Sequence, residues 1–272
     1  MKKIVALMLA LVMVFALAAC GSKPAASAPA ADAKPVLVMG TSADYAPFEF
    51  MYPDDSGELV YGGIDVSVAQ YIADYTGKEL KVENMGFEYL LASLQKGDFD
   101  IVIAAMEATE ERSKSADFSD PYYTDIPAKV LIRKADVELY NDPADLDGKS
   151  VGVQTSTTKE VLVKDVFAGA NAVSLQNVND LVNQLVNDKI DAVVLDGGVA
   201  TSFAQSNADL AIANITLPDA DPYCIAVAKG DPKGLLPGIN EAIADMLEKD
   251  KLSEFISFAN DLEDVAQLVT VE

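Results

Sequence analysis

The chain has 272 residues and carries 20 Lys+Arg against 43 Asp+Glu, a formal net charge of −23, which argues against nucleic acid as a partner because phosphate backbones are bound through cationic surface. It contains no histidine and no tryptophan, so the commonest general base and zinc ligand are missing, and any catalysis would fall to carboxylates, Lys, Tyr or a thiol. Half of the residues are hydrophobic, and the roughly 250 that follow an N-terminal targeting segment suffice for one large domain or two lobes.

Residues 1–19 begin with Lys2 and Lys3 and continue as an apolar run, the layout of a secretory signal that is short for a membrane-spanning helix. The run ends Leu17, Ala18, Ala19, Cys20, Gly21, which resembles the lipobox of bacterial lipoproteins. That resemblance implies removal of residues 1–19 and a mature chain starting at Cys20, with a diacylglycerol on its thiol and a fatty acid on its amine. Such acylation meets the need for more than one lipid in stable anchoring. Residues 20–34 are small, polar and proline-containing without hydrophobic periodicity, as expected of a flexible tether. The expected location is the extracytoplasmic face of the bacterial cell membrane, lipid-anchored at Cys20. The other cysteine, Cys224, lies in an apolar strand context without a histidine partner and reads as a small core residue. No internal disulfide is expected in the mature chain.

From residue 34 onward, short β-rich runs alternate with helical patterns, which predicts α/β architecture. Strands are expected at 36–39, 80–82 and 101–104. Asp65 is read as the cap of a helix running to about Tyr75, and Phe87, Leu90, Leu91 and Leu94 recur on one face of a helix that ends at Gly97. The stretch 104–123 follows the third strand. In it Thr109 reads as a helix N-cap with Glu110 and Glu111 in the first turn, where acidic groups suit the helix dipole. Arg112 breaks that pattern, so it is either a solvated charge or aimed at an anion drawn to the same helix start.

A second unit repeats the order. Strands are expected at 129–132 and 150–153, a hydroxyl-rich helix start at Ser156, Thr157 and Thr158, and a helical face on Val178, Leu181, Val182, Leu185 and Val186. A strand at 192–195 runs into Asp196, Gly197 and Gly198; a strand at 222–228 and helices at 234–249 and 252–259 complete the chain. The Asn/Asp run 141–148 lacks the spacing of an EF-hand loop and reads as a turn. Ligands of open α/β sheets bind outside the carboxyl ends of the strands. The loop 40–45, Phe87, Met106 with Glu107, and Arg112 all fall there.

The motifs GTSADYAPFEF at 40–50, GGIDV at 62–66, LLASLQKGDFDIVIAAM up to Met106, ATEERSKSADFSDPYY up to Tyr123, VGVQTSTTKE at 151–160 and DAVVLD at 191–196 together resemble the extracytoplasmic substrate-binding proteins of ABC importers for polar amino acids. The resemblance covers nearly all of the mature chain. It implies a type II periplasmic-binding-protein fold, with lobe 1 at 34–124 plus 223–272, lobe 2 at 125–222 and two crossing strands as the hinge. It also implies that Arg112 grips a ligand α-carboxylate, helped by backbone N–H groups of Glu107 and Thr158. Asp196 then receives the α-ammonium, Tyr45 and Phe87 sandwich the side chain, and Ser42, Ala105, Met106 and Thr157 complete the expected contact set.

Four positions depart from the family pattern. Glu107 stands where Ser or Thr is usual, Ser42 where several relatives have Asp, Ser156 where Gly is common, and Cys224 where Gly is frequent beside the hinge. Glu107 adds negative charge, which suits a cation or a second amine, whereas Ser42 removes the usual partner of a side-chain cation; the two leave the ligand's charge open. The expected function is capture of a polar L-amino acid, neutral or cationic, and its delivery to a membrane permease, without chemistry, cofactor or metal, by a monomer. The competing reading is an exported cyclohexadienyl dehydratase, which resembles this family and would use Glu107 or Asp196 as an acid.

Overall fold

The computed structural model describes residues 34–269; the expected signal, Cys20 and most of the tether lie outside them. Apolar residues at alternate positions put β1 (Val36–Thr41) at the centre of the first core. A hairpin of β2 (Phe50–Pro53) and β3 (Leu59–Gly62) leads into α1 (Ile64–Tyr75), and β4 (Glu79–Asn84) returns parallel to β1 in the register Val36↔Glu79 to Thr41↔Asn84. A 3₁₀ turn at Phe87–Tyr89 precedes α2 (Leu90–Lys96), whose end is set by Gly97 in the left-handed region at φ 86°. β5 (Ile101–Val102) pairs with the other side of β1, and β6 (Ala116–Phe118) follows.

The second unit contains β7 (Lys129–Arg133), β8 (Ser150–Gln154), α3 (Thr158–Val166), β9 (Asn171–Leu175), α4 (Val178–Val186), β10 (Ala192–Leu195), α5 (Gly197–Ser206) and β11 (Leu210–Ile212). The chain then returns as β12 (Ala226–Ala228) and finishes with α6 (Leu236–Glu248) and α7 (Lys251–Val269). The sheets are ordered β4-β1-β5-β12-β6 and β11-β7-β10-β8-β9. Because β12 inserts antiparallel between β5 and β6, the first sheet is closed by a segment from the far end of the chain. The result is the expected fold class: two α/β lobes.

The chain passes between the sheets twice, and the passages run side by side. Tyr223 forms antiparallel bridges with both Tyr123 and Glu107. The rings of Tyr123 and Tyr223 stack at 5.8 Å, and Phe48 meets each edge-on at 5.3 Å. This aromatic group joins the lobe-1 core (Leu37, Met39, Ile72) to the lobe-2 core (Leu131, Leu181, Val193) in one continuous cluster. The buried face of α4, with Val178, Leu181, Val182 and Leu185, contributes to it at about 1.5–3 kcal/mol per fully buried side chain.

Several expectations are corrected. Asp65 does not cap α1. Gly63 occupies the N-cap, and Asp65 is wholly buried within the first turn, where Oδ2 accepts the Ala105 N–H at 2.7 Å and Oδ1 accepts the Tyr122 hydroxyl at 2.7 Å. It therefore ties α1 to the loop after β5 and to the hinge. The helix expected after Thr109 is a single 3₁₀ turn, Arg112–Lys114, although Thr109 Oγ1 does accept the Arg112 N–H at 3.2 Å. The strand expected at 222–228 is regular only over Ala226–Ala228, because Tyr223 is used as a hinge bridge. The run 141–148 is a turn as expected, with a 3₁₀ segment at Pro143–Leu146 closed by a capping box between Asp142 and Asp145. Cys224 is buried, and burial pushes its thiol up to about 11.

Candidate ligand-binding site

The site lies between the lobes, where the loops after β1 and β5 face the starts of α3 and α5. From lobe 1, β1 delivers Ser42 and Tyr45, both buried. The Tyr45 hydroxyl crosses to lobe 2 and donates to Asp196 Oδ2 at 2.6 Å. Burial and the Asp196 charge raise the Tyr45 phenol well above its ordinary pKa, so it remains a donor. Phe87 opens the 3₁₀ turn before α2, and the Arg112 guanidinium lies over its ring, 5.2 Å from the centroid, a cation–π contact.

Ala105 is held at φ 44° by its N–H bond to Asp65, which turns the chain so that Glu107 faces lobe 2. Met106 is buried with Phe87 and Leu90, and its carbonyl accepts the Cys224 N–H at 2.9 Å. Its side chain is therefore part of the lobe-1 core. From lobe 2, Thr157 caps α3 in an extended conformation and donates its hydroxyl to the Gln154 carbonyl at 2.8 Å. Ser156 before it is left-handed, φ 64°, the region a glycine adopts most easily, which accounts physically for the glycine common in the resembling family. Asp196 stands at the N-cap position of α5. A Cβ at Gly197 would lie 2.4 Å from the Pro127 carbonyl oxygen, so glycine is what lets the Asp196 turn pack against the segment that leads into β7.

The charged centre contains a residue that sequence reasoning missed. Lys159, 8% exposed, reaches Glu107 Oε1 at 2.5 Å and Thr158 Oγ1 at 3.1 Å and forms a close ion pair with Asp196 Oδ1. An ammonium has three donors, and here each has a partner. Glu107 Oε1 also accepts the Thr158 hydroxyl at 2.7 Å, while Oε2 accepts Arg112 Nη1 at 2.9 Å. Arg112 further donates to the Glu107 carbonyl at 3.0 Å and, across the cleft, to the Ser156 carbonyl at 3.3 Å. Burial alone would raise the Glu107 carboxyl; the Lys159 and Arg112 charges and the Lys159 and Thr158 hydrogen bonds outweigh it and hold it at about 2. Burial opposes the Lys159 charge, but Asp196 and Glu107 raise its pKa above the ordinary lysine value.

A cavity of about 10 Å³ remains, lined by Ser42, Tyr45, Phe87, Ala105, Glu107, Thr157 and Asp196 together with Glu49, Ala104, Gln154 and Lys159. That is room for about one water molecule. Of the expected set, Met106, Arg112 and Thr158 are off the cavity wall, the last two bonded to the Glu107 carboxylate. Lys159 carries the same anomaly that singled out Arg112, a cation in the first turn of a helix where the dipole disfavours it. Glu49, also missed, is buried, and burial with the Asp65 and Asp44 carboxylates raises its pKa well above the usual range.

Residues 37–257 match the model of the bacterial extracellular solute-binding proteins, family 3. The chain belongs to that family. Among its relatives, the arginine-binding extracellular protein ArtP of Bacillus subtilis is 34% identical over 258 residues, covering 93% of this chain and 96% of that protein. A probable histidine-binding protein of Neisseria gonorrhoeae is 32% identical over 253 residues, with 91% of each chain covered. An amino acid ABC transporter substrate-binding protein from Streptococcus pneumoniae, solved bound to L-arginine, superposes with a TM-score of 0.79 at 37% identity, over 84% of this chain and 94% of that one. These relatives are binding proteins rather than enzymes, which sets the receptor reading of this family 3 solute-binding protein above the dehydratase one. Its fold is that of the type II periplasmic amino-acid-binding proteins, and its place is outside the cytoplasm.

Proposed function

We propose that this family 3 protein is the receptor component of an ABC importer and closes its lobes over an L-amino acid with a cationic side chain. The observation that carries the reading is that Arg112 from lobe 1 and Asp196 from lobe 2 belong to one buried charge network across the cleft, with Tyr45 and Phe87 beside it. A zwitterion can place its carboxylate on Arg112, supported by the backbone N–H groups of Glu107 and Thr158, and its ammonium on Asp196. Because the two poles sit on different lobes, binding favours the closed form over the open one. The relatives described as an arginine-binding protein and a probable histidine-binding protein, with the structure solved with L-arginine, support the cationic side chain, and so does Glu107, a second carboxylate between the Arg112 and Asp196 poles.

In this reading the lobes are 34–124 plus 223–272 and 125–222, and the aromatic group of Phe48, Tyr123 and Tyr223 forms the pivot. The lipid on Cys20 and the tether 20–34 hold a monomeric receptor at the outer face of the membrane, within reach of its permease. Titration calorimetry against the twenty amino acids is expected to give saturable binding for L-arginine, with L-lysine or L-histidine weaker. No heat of binding with any amino acid would discard the assignment.

A further inference from the structure

We infer that Lys159 is a specificity-determining residue: with Glu107 it forms an internal copy of the ligand's zwitterion, and an entering monocationic amino acid has to displace it. The inference rests on the amino-acid reading above. Glu107 presents a carboxylate to Arg112 at 2.9 Å, and Lys159 presents an ammonium to Asp196. The two surrogates are themselves paired at 2.5 Å, one from each lobe, so together they span the cleft as an α-amino acid would. The cavity of about 10 Å³ left beside them has no room for a ligand backbone while they stay paired.

The consequence for selectivity is electrostatic. With Lys159 in place, the paired cations Arg112 and Lys159 balance the carboxylates they contact, Glu107 and Asp196. Once an incoming α-ammonium takes its place and Lys159 swings to solvent, Arg112 alone faces both carboxylates. A zwitterionic ligand is neutral and leaves one negative charge uncompensated, whereas a cationic side chain cancels it. Uncompensated charge in a dry cleft is costly, so the displaced lysine shapes a site for a ligand of net charge +1. It also lowers apparent affinity for every ligand, because the binding-competent cleft is only a fraction of the population.

The test uses Lys159→Gln and the double variant Glu107→Ser/Lys159→Gln, the latter removing both surrogates so that no carboxylate is left unpaired against Asp196. Calorimetry with L-arginine and its neutral isostere L-citrulline is paired with small-angle scattering of each protein without added ligand. Lys159→Gln is expected to bind both ligands about tenfold tighter or more, the gain that follows when a competitor occupying most of the population is removed. It is also expected to show a larger radius of gyration before ligand is added, as Glu107 and Asp196 repel and hydrate. The double variant should lose the preference for arginine over citrulline that the wild type shows. Unchanged or weaker binding in Lys159→Gln overturns the inference, since the lysine would then contact the ligand or stand aside. If no protein binds any amino acid, the functional reading fails and scattering decides alone: opening of Lys159→Gln supports the bridge, and an unchanged radius overturns it.

Discussion

Arg112→Ala is expected to weaken amino-acid binding by two to three orders of magnitude. Truncating one partner of a buried, hydrogen-bonded charge pair costs about 2–5 kcal/mol, much of it for the charge left without a partner, and each ~1.4 kcal/mol is a decade in affinity. A bound α-carboxylate would be in that position. The ligand-free fold should tolerate the change, because Glu107 keeps its bonds to Lys159 and Thr158, and Phe87 loses only the guanidinium above its ring. Calorimetry and a melting curve without ligand separate the two effects: lost binding with a melting temperature within a few degrees of wild type is the expected pair. A protein that no longer melts cooperatively would make Arg112 a structural residue. Arg112→Lys should fall between, since an ammonium keeps the charge and loses the planar fork that matches a carboxylate.

The second large effect is on stability against pH, which should rise as the medium is acidified from neutral and reach its maximum near pH 4–5. Burial raises the Asp44 carboxyl to about 6, against the opposing hydrogen bonds from the Val178 N–H and Ser42. Burial likewise raises Asp65 to about 6, against bonds from Tyr122 and the Ala105 N–H. For both groups the folded state holds a proton between about pH 6 and 3.8 that the unfolded chain has released, so stability increases as pH falls through that window. At ~1.4 kcal/mol per pKa unit, each contributes about 2–3 kcal/mol, a shift of several degrees in melting temperature for a chain of this size. Glu107 works in the opposite direction. Held at about 2 by Lys159 and Arg112, it adds stability above its unfolded value of 4.5, lost as pH falls toward 2. Melting temperatures taken from pH 8 to 2.5 check the profile, and a monotonic fall with acid from pH 7 would contradict it. In Asp65→Asn the rise between pH 7 and 4 should shrink, because one of the proton-holding groups is gone.

The parts of the fold legible in the sequence were those whose signals are local. The run 192–195 is buried along its whole length and flanked by turn residues, and it is the strand β10; Gly97 ends α2 through the left-handed turn that only its position required. The short strands β6 and β11, three residues each, carry too little periodicity to be seen and owe their existence to partners: β12 arrives more than a hundred residues later to pair with β6. Thr109 carries a local helix-start signal that the tertiary structure overrides: the 3₁₀ turn Arg112–Lys114 has Glu111, not Thr109, at its N-cap. Its hydroxyl does accept the Arg112 N–H, but the chain turns into β6 after one 3₁₀ turn because the first sheet needs that strand.

The site divides in the same way. Arg112 stood out because a cation at a helix start contradicts the dipole, and Asp196 because it ends a buried strand at a glycine pair. Lys159 bears the first of these signals too, but what makes it matter is Glu107, 52 residues away, and Asp196 on another helix start. No spacing rule encodes that meeting; it follows from bringing α3 and α5 against the loop after β5. Glu107, the departure with no account in the family pattern, acquires one there. It is the carboxylate that Lys159 needs on the opposite lobe.

A crystal structure with L-arginine bound would show whether Arg112 and Asp196 clamp the two poles of the ligand. The ligand α-carboxylate is expected on the Arg112 guanidinium, the α-ammonium on Asp196 in the place of the Lys159 ammonium, and the side chain between Tyr45 and Phe87. A ligand whose carboxylate lies away from Arg112, or one that binds with Lys159 still paired to both Glu107 and Asp196, would contradict that arrangement.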